Sequence, residues 1–380
     1  FDVCELTPST VYLWRNNGAG TFSTWASFNI SGGSAEDIAF GDVDKDGDQD
    51  LVIGTDGSGA FVYKNNGSGA FTDSGQVLGA GNSTTLALCD YDNDGDLDLV
   101  KGASAASELW LNDGSGNYSQ MALSLSPGSA STLWGDVDQD GDNDLVLVHN
   151  DQFNVWKNSL SGTWGALSYT PSAQSFGALA WSCVKTADMD KDGDIDIVSS
   201  VTTLFENDGA GNFSTKWTYS AANNSHVLLA DVNRDSYLDY IHSFLTPQLS
   251  ITYGYLDGYP IDPGYYYNQL TLGAAAGHIN KDGIIDFFAV NGATKETIAF
   301  TGDSSYDYTP ASIASHSNPY FVLSADFNRD FLADCVTLNK GLGTTADIMM
   351  NDGTGSFTAG QQLSSGVGLN SGCLGDVDND

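Results

Sequence analysis

The chain has little glutamate, little basic charge and little proline. Of 49 acidic residues only Glu5, Glu36, Glu108, Glu206 and Glu296 are glutamates, which leaves 44 aspartates against 13 Lys and Arg. A net charge of −36 argues against a nucleic-acid partner, because a phosphate backbone is bound by a basic face. The same charge argues against an anionic membrane surface. No apolar run approaches the ~18–20 residues of a membrane helix, so no membrane insertion is expected. Five cysteines (4, 89, 183, 335 and 373) form no C-x-x-C pair, which removes the usual zinc and redox motifs and leaves buried thiols as the simplest reading. Catalytic signatures are missing as well. The five histidines (149, 226, 242, 278 and 316) share no repeat position, and no G-x-S-x-G, H-E-x-x-H or phosphate loop occurs. An enzyme is not expected. Nor does any segment sustain a 3.6-residue period between caps, so helices are not expected.

What is present is a periodic aspartate pattern in a chain able to bury a core. Hydrophobic residues make up 41% and aromatics 11%, with 44 Gly, unlike a disordered acidic tail. The motif D-x-D-x-D-G-D-x-D begins at Asp42, Asp90, Asp136 and Asp188. Weakened copies begin at Asp231, His278 and Asp326, and an eighth, DVDND, begins at Asp376 and ends with the chain. Successive starts are 48, 46, 52, 43, 47, 48 and 50 residues apart. A glycine-rich pattern follows each intact loop: YKNNGSGAF (63–71), WLNDGSGNY (110–118), WKNSLSGTW (156–164) and FENDGAGNF (205–213). WRNNGAGTF (14–22) and MMNDGTGSF (349–357) are the same element.

Each unit reads as four short strands. Around the second loop STTLALCDY enters, LDLVKG leaves, ELWLN follows, and N-D-G-S-G turns the chain into YSQMALSL. Alternating apolar, β-branched and aromatic positions mark strands, and the N-G and G-x-G steps supply the positive φ of tight hairpins. Four strands per ~48 residues, repeated, predict an all-β β-propeller of four-stranded blades with Asp loops between strands. Trp14, Trp110, Trp156 and Phe205 recur at one repeat position and are expected to pack between blades.

The ends bear on blade number. Asp2 aligns with Asp98, the ninth loop residue, since both precede an aromatic (Phe22, Tyr118) by twenty positions. Asp380 is the fifth residue of the eighth loop, so the 380 residues lack only a Gly-Asp pair to make eight units. One array over 1–380 is expected, either a closed eight-bladed ring or an eight-unit window on a longer repeat chain. The missing initiator Met fits a processed chain or such a window.

Five carboxylates in nine residues repel one another, at about 4 kcal/mol per close pair for 4 Å and an effective dielectric of ~20. Such a loop calls for a cation. Ca²⁺ suits it, taking six to eight hard oxygen ligands in flexible geometry where Mg²⁺ demands a strict octahedron. By analogy with other Asp-loop sites, positions 1, 3 and 5 give side-chain oxygens, position 7 its backbone carbonyl and position 9 a further carboxylate. The candidate ligands are Asp42, Asp44, Asp46, Asp48 and Asp50 around the pivot Gly47; Asp90, Asp92, Asp94, Asp96 and Asp98; Asp136, Asp138, Asp140, Asp142 and Asp144; and Asp188, Asp190, Asp192, Asp194 and Asp196. An EF-hand is excluded. Its loop needs Glu six residues after the Gly, where this chain has Ile53, Lys101, Leu147 and Ser199, and a strand follows instead of a helix.

These loops, with Phe40-Gly41 before the first, resemble the FG-GAP/VCBS family of calcium-binding β-propeller repeats, related to integrin α heads and some fungal lectins. The resemblance covers essentially the whole chain. It implies extracellular adhesion, recognition or assembly, with calcium in loops on one side of the ring. Members most often have seven blades, which keeps a seven-bladed ring as the alternative. The later copies depart from the pattern: Ser236 and Phe331 replace the Gly, Arg234 and Arg329 occupy position 4, and His278 and Ile284 replace aspartates. Asp231, Asn233, Asp235, Tyr237 and Asp239, with Asn280, Asp282, Ile284 and Asp286, stay candidate ligands, and a metal-free turn is the alternative. The chain thus carries at least four and up to eight calcium loops, which hold 32 of its 49 acids.

The expected function is a non-catalytic adhesion or structural assembly module at the cell surface, with a protein or glycan ligand. A lectin-like propeller is the first alternative, and a self-assembling subunit of a surface fibre or layer the second. The tract 253–267 carries Tyr253, Tyr255, Tyr259, Tyr265, Tyr266 and Tyr267, which can stack on sugars or dock a partner, or pack on their own blade. Cys4 and Cys373 flank the split loop, and a disulfide between them is one expectation. Six N-x-S/T sequons (Asn29, Asn66, Asn82, Asn117, Asn212 and Asn223) permit glycosylation, though chance alone yields about as many.

Overall fold

The structure, a computed structural model, describes residues 2–122, 125, 131–149, 152–158, 184–199, 203–218, 224–244, 249–254, 261–267, 271–305, 307–315, 318–340, 345–364 and 371–375. Among these there is no helix, and so none long and apolar enough to cross a membrane. The strands form eight antiparallel sheets, each running in sequence order outward from its first strand. Blade 1 comprises Ser34–Gly41, Asp50–Asp56, Gly59–Lys64 and Thr72–Leu78, in register through Phe40↔Leu51 and Leu51↔Tyr63. Blades 2 to 7 begin with Thr85–Cys89, Ser131–Gly135, Val184–Ala187, Asn224–Ala230, Thr271–Gly277 and Pro319–Ala325. Blade 3 shows three strands among the described residues; the others show four.

Blade 8 joins the two ends of the chain. Ser371–Gly375 is its first strand and pairs with Asp2–Leu6, which is followed by Thr10–Asn16 and Phe22–Asn29. The ring is therefore closed with eight blades, and the seven-bladed alternative is set aside. Cys4 and Cys373 are direct cross-strand partners in this sheet, and both are free thiols in hydrogen-bonding contact rather than the expected disulfide. Cys335 is buried and Cys89 half-buried, both free; Cys183 lies outside the described residues.

The core is distributed rather than central. Eight apolar clusters occur among the described residues, and each joins a neighbouring pair of blades. Trp14 packs with Phe327 and Val336 of blade 7, Trp110 with Val43 and Val52 of blade 1, and Phe205 with Phe153 and Val146 of blade 3. The recurring aromatics are thus blade-packing residues. Each second strand is covered on both faces by neighbouring blades, so DLVIG, DLVKG and DIVS are buried throughout and read as short, mainly apolar runs, with Lys101 buried against Glu108 at 3.3 Å. Burying one such Leu, Val or Phe contributes about 1.5–3 kcal/mol. The first strands touch one another around the ring axis and are half-exposed, as in Thr85–Cys89. Because strands alternate in direction, the Asp loops (first to second strand) and the glycine turns (third to fourth) emerge on one face.

Candidate metal centres

In all seven described Asp loops the ninth residue is an anchor. One oxygen of Asp50 accepts from the N–H of Val43 at 2.9 Å and the other from Asn65 at 2.7 Å. Asp98 does the same with Tyr91 and Asn112, Asp144 with Val137 and Asn158, and Asp196 with Met189 and Asn207. Asp239, Asp286 and Asp334 repeat it with Gly254, Gly302 and Asn351 on the turn side. Asp2 accepts from Asn16 N–H at 2.8 Å, which places it at the ninth position of the split loop; Asp376, Asp378 and Asp380 lie outside the described residues. Burial raises these carboxyls to about 6 for Asp50, Asp98 and Asp334 and about 7 for Asp144, Asp196 and Asp239, while the two N–H donors pull the other way.

The turn itself is shaped by the first carboxylate. Asp42 accepts from the N–H of Asp46 and of Gly47, at 3.1 and 3.0 Å, and the sixth residue takes a left-handed conformation, φ +93° at Gly47. Position 5 (Asp46, Asp94, Asp140 and Asp192) accepts from the N–H of position 7. What remains converges. A carboxylate oxygen from each of Asp42, Asp44 and Asp50 lies within 4.8 Å of the others. The same holds for Asp90, Asp92 and Asp94, for Asp136, Asp138 and Asp144, and for Asp188, Asp190 and Asp196. Among the described residues these four groups are the ones that can hold a metal, and all belong to intact loops. Oδ1 of Asp44, Asp90, Asp92 and Asp138 is buried with no hydrogen-bond donor. Leaving a buried carboxylate oxygen unpaired is costly, and a cation at the convergence point satisfies it. The residues fit a hard divalent ion.

Position 7 behaves differently. The carboxylates of Asp48, Asp96 and Asp194 turn away and lie against Gly67, Gly114 and Gly209 of their own glycine turns, where a Cβ would meet them at 2.6–2.7 Å. Asp142 accepts from Asn93 of the preceding loop, so these side chains tie loops to turns and to one another. In loop five Asp231 accepts from Ser236 N–H, Asp235 from Tyr237 N–H and from the Asn233 amide, and Oδ1 of Asp231 is buried without a donor. In loop six Asn280 and Asp282 accept from Asp282 and Ile284 N–H. There His278 Nδ1 lies 2.9 Å from the Ile284 carbonyl, which can only accept, so the imidazole donates to the oxygen expected to face a cation.

Two sets of residues escape a motif search. Position 4 is left-handed at Lys45, Asn93, Gln139, Lys191, Arg234 and Arg329, with φ of 57–65°, a strained choice for side chains with a Cβ. From there each reaches the next blade: Lys45 to Asp96, Asn93 to Asp142 at 3.0 Å, Gln139 to Asp194 and the Gly193 carbonyl, Lys191 over the Tyr237 ring, Arg234 to the Asp282 carbonyl, and Arg329 against Gly18 of the blade 8 turn. The second set is the Asn of each glycine pattern. Asn112, Asn158, Asn207, Asn351 and Asn16 donate to the carbonyls of Val43, Tyr91, Val137, Ile279 and Phe327 in the preceding blade, at 2.6–2.8 Å. Its recurrence at the third place of all six patterns was the signal in the sequence. Of the tyrosine tract, Tyr255 and Tyr259 lie outside the described residues, and residues 265–267 belong to strand Ile261–Tyr267.

Comparison with known proteins agrees with this architecture. The FG-GAP-like repeat family matches four overlapping stretches, residues 1–53, 42–101, 90–147 and 136–199, together more than half of the chain. No curated protein sequence matches. Among solved structures, an Agrocybe aegerita lectin that recognises non-reducing terminal N-acetylglucosamine is 16% identical, with 96% of this chain and 90% of that one covered at TM-score 0.52. The BP39L lectin of Burkholderia pseudomallei is 14% identical, covering 87% and 99% at TM-score 0.57. A Lactobacillus plantarum protein is 16% identical, covering 89% and 98% at TM-score 0.54.

Proposed function

Since the chain belongs to the FG-GAP-like repeat family, we propose that it is an extracellular calcium-binding β-propeller serving as a non-catalytic adhesion or assembly module. The observation that carries the reading is the fourfold repetition of three converging carboxylates in the intact loops. Asp42, Asp44 and Asp50, and their counterparts, would hold the ion, with position 5 and a loop carbonyl completing an all-oxygen shell. Calcium there would cancel local repulsion and stiffen the loop face against which a ligand docks. Modules built for extracellular calcium need only bind it at roughly 10⁻⁴–10⁻³ M, in keeping with centres left partly open to solvent. Equilibrium dialysis against millimolar calcium tests the reading: at least four ions per chain are expected, and a chain that takes up none overturns it.

Glycan binding is the second reading, supported by one side chain. Phe331 on the Asp-loop face is 90% exposed and held at φ +70°; strain of this kind collects at functional sites, and exposed aromatics are favoured at binding surfaces. A glycan array with wild type and Phe331→Ala separates the readings. Glycan hits lost in the variant favour a lectin, and a blank array favours a protein partner.

A further inference from the structure

The four intact loops differ in the charge set beside position 3. The residue before the glycine-turn Asn lies beside position 3 of its own loop. In blade 1 this is Lys64, whose Nζ is 3.4 Å from Asp44 Oδ2, and in blade 3 it is Lys157, 4.0 Å from Asp138 Oδ2. Both ammonium groups also donate to a carbonyl in the next blade, that of Ser115 or Ala210, which pins them beside the loop. Blade 2 has Leu111 here and blade 4 has Glu206. The Glu206 carboxyl is in hydrogen-bonding contact with Asp190, while Lys216 Nζ holds its Oε1 at 2.7 Å. With Asp192, Asp194 and Asp208 it lines a hollow of about 530 Å³. Two carboxyl groups in contact repel unless a proton or a cation stands between them.

We infer that Glu206 is an additional carboxylate ligand of the fourth centre and that this single position ranks the four: loop four binds calcium tightest, loop two next, loops one and three weakest. The ranking rests on the calcium reading above and deepens it. A lysine near 4 Å competes for the position-3 oxygen and repels the incoming ion. Leucine adds no charge beside position 3, and the lysine that reaches loop two, Lys45, pairs with Asp96, whose carboxylate lies against Gly114 of the glycine turn. Glutamate adds a hard oxygen and a negative charge, which Lys216 offsets only from the side of Oε1.

Calcium titration calorimetry on the full chain decides it, with wild type, Glu206→Gln and the double variant Lys64→Gln, Lys157→Gln. In Glu206→Gln one equivalent should weaken about tenfold, the others staying as they were. In the double variant two equivalents should tighten by a comparable factor. Isotherms that superimpose on wild type overturn the ranking while the calcium reading stands, whereas a wild-type chain that binds no calcium overturns both. Should circular dichroism show that Glu206→Gln fails to fold, the double variant decides alone, because its two lysines are removed from half-exposed positions.

Discussion

Loops one to four and loops five to seven follow the same path but make different use of it. In both groups the first carboxylate accepts from the N–H of the sixth residue: Asp42 from Gly47, Asp231 from Ser236 and Asp326 from Phe331. In both, the ninth Asp is buried and takes two backbone donors. Among the described residues, the first four loops alone gather three carboxylates. The later ones place His278 against a loop carbonyl or a basic Arg at position 4, and blades 5 and 6 have Gly254 and Gly302 where the others carry the inter-blade Asn. The turn is therefore folded by backbone-to-carboxylate hydrogen bonds, and the converging carboxylates are a separable layer laid over it.

The largest effect that tests this division is calcium removal. At tenfold excess over Kd each ion stabilises the fold by about 1.4 kcal/mol, so four give on the order of 5 kcal/mol. Chelation should lower Tm and, in hydrogen-exchange mass spectrometry, release amides of loops one to four but not five to seven. Uniform release across the ring would erase the comparison. Next come the anchors. Asp98→Ala and Asp334→Ala each strand two buried N–H groups at about 1–3 kcal/mol apiece. Both should cost about 2–6 kcal/mol in urea unfolding without calcium. A cost at Asp98 alone would mean that the ninth residue serves the ion rather than the turn.

Acid should strike the later half through His242. It is fully buried and stacked on Tyr240 at 5.9 Å, and burial lowers its pKa from 6.5 to about 3. Below pH 6.5 the unfolded chain takes up a proton that the folded chain refuses, so stability falls on acidification, by about 1.4 kcal/mol per pH unit until pH nears 3. Wild type should lose about 2 kcal/mol more than His242→Phe between pH 6.5 and pH 5; parallel pH profiles would contradict this. The smallest effect concerns strain. Ser236→Gly and Phe331→Gly relieve left-handed non-glycine residues and should each stabilise by about 0.5–1 kcal/mol without raising calcium stoichiometry. A gain in bound calcium would show that the missing glycine alone had disabled those loops.

Much of the fold was legible because the chain repeats itself. The period gave eight units, Asp2 fell on the ninth loop position, and the structure returns both. The recurrence of Trp14, Trp110, Trp156 and Phe205 points to inter-blade packing; Trp14, Trp110 and Phe205 are buried there, and Trp156 packs half-buried against the cluster between blades 2 and 3. The centres were legible as loops but not as coordination. Nothing in D-x-D-x-D-G-D-x-D tells that Asp50 is occupied by two backbone donors or that the Asp48 side chain leaves for Gly67. Both depend on the third strand and its turn, some fifteen to twenty residues away. Glu206 was hidden for the same reason. It stands in a column of Arg15, Lys64, Leu111, Lys157 and Met350, and the charge reversal gains meaning only once that column is seen beside position 3.

The scarcity of Glu and base alongside abundant Asp follows from local geometry, and for that the sequence alone sufficed. A short carboxylate can serve a nine-residue turn, and repetition multiplies it. Blade count and strand order are set likewise, since every unit contains its own pattern of apolar strands and turns. Tertiary structure alone decided which carboxylates converge, which anchor backbone, and how position 4 and the turn Asn bind each blade to the next. Those contacts join residues about 50 to 70 positions apart or more, across interfaces that exist only once neighbouring blades have packed.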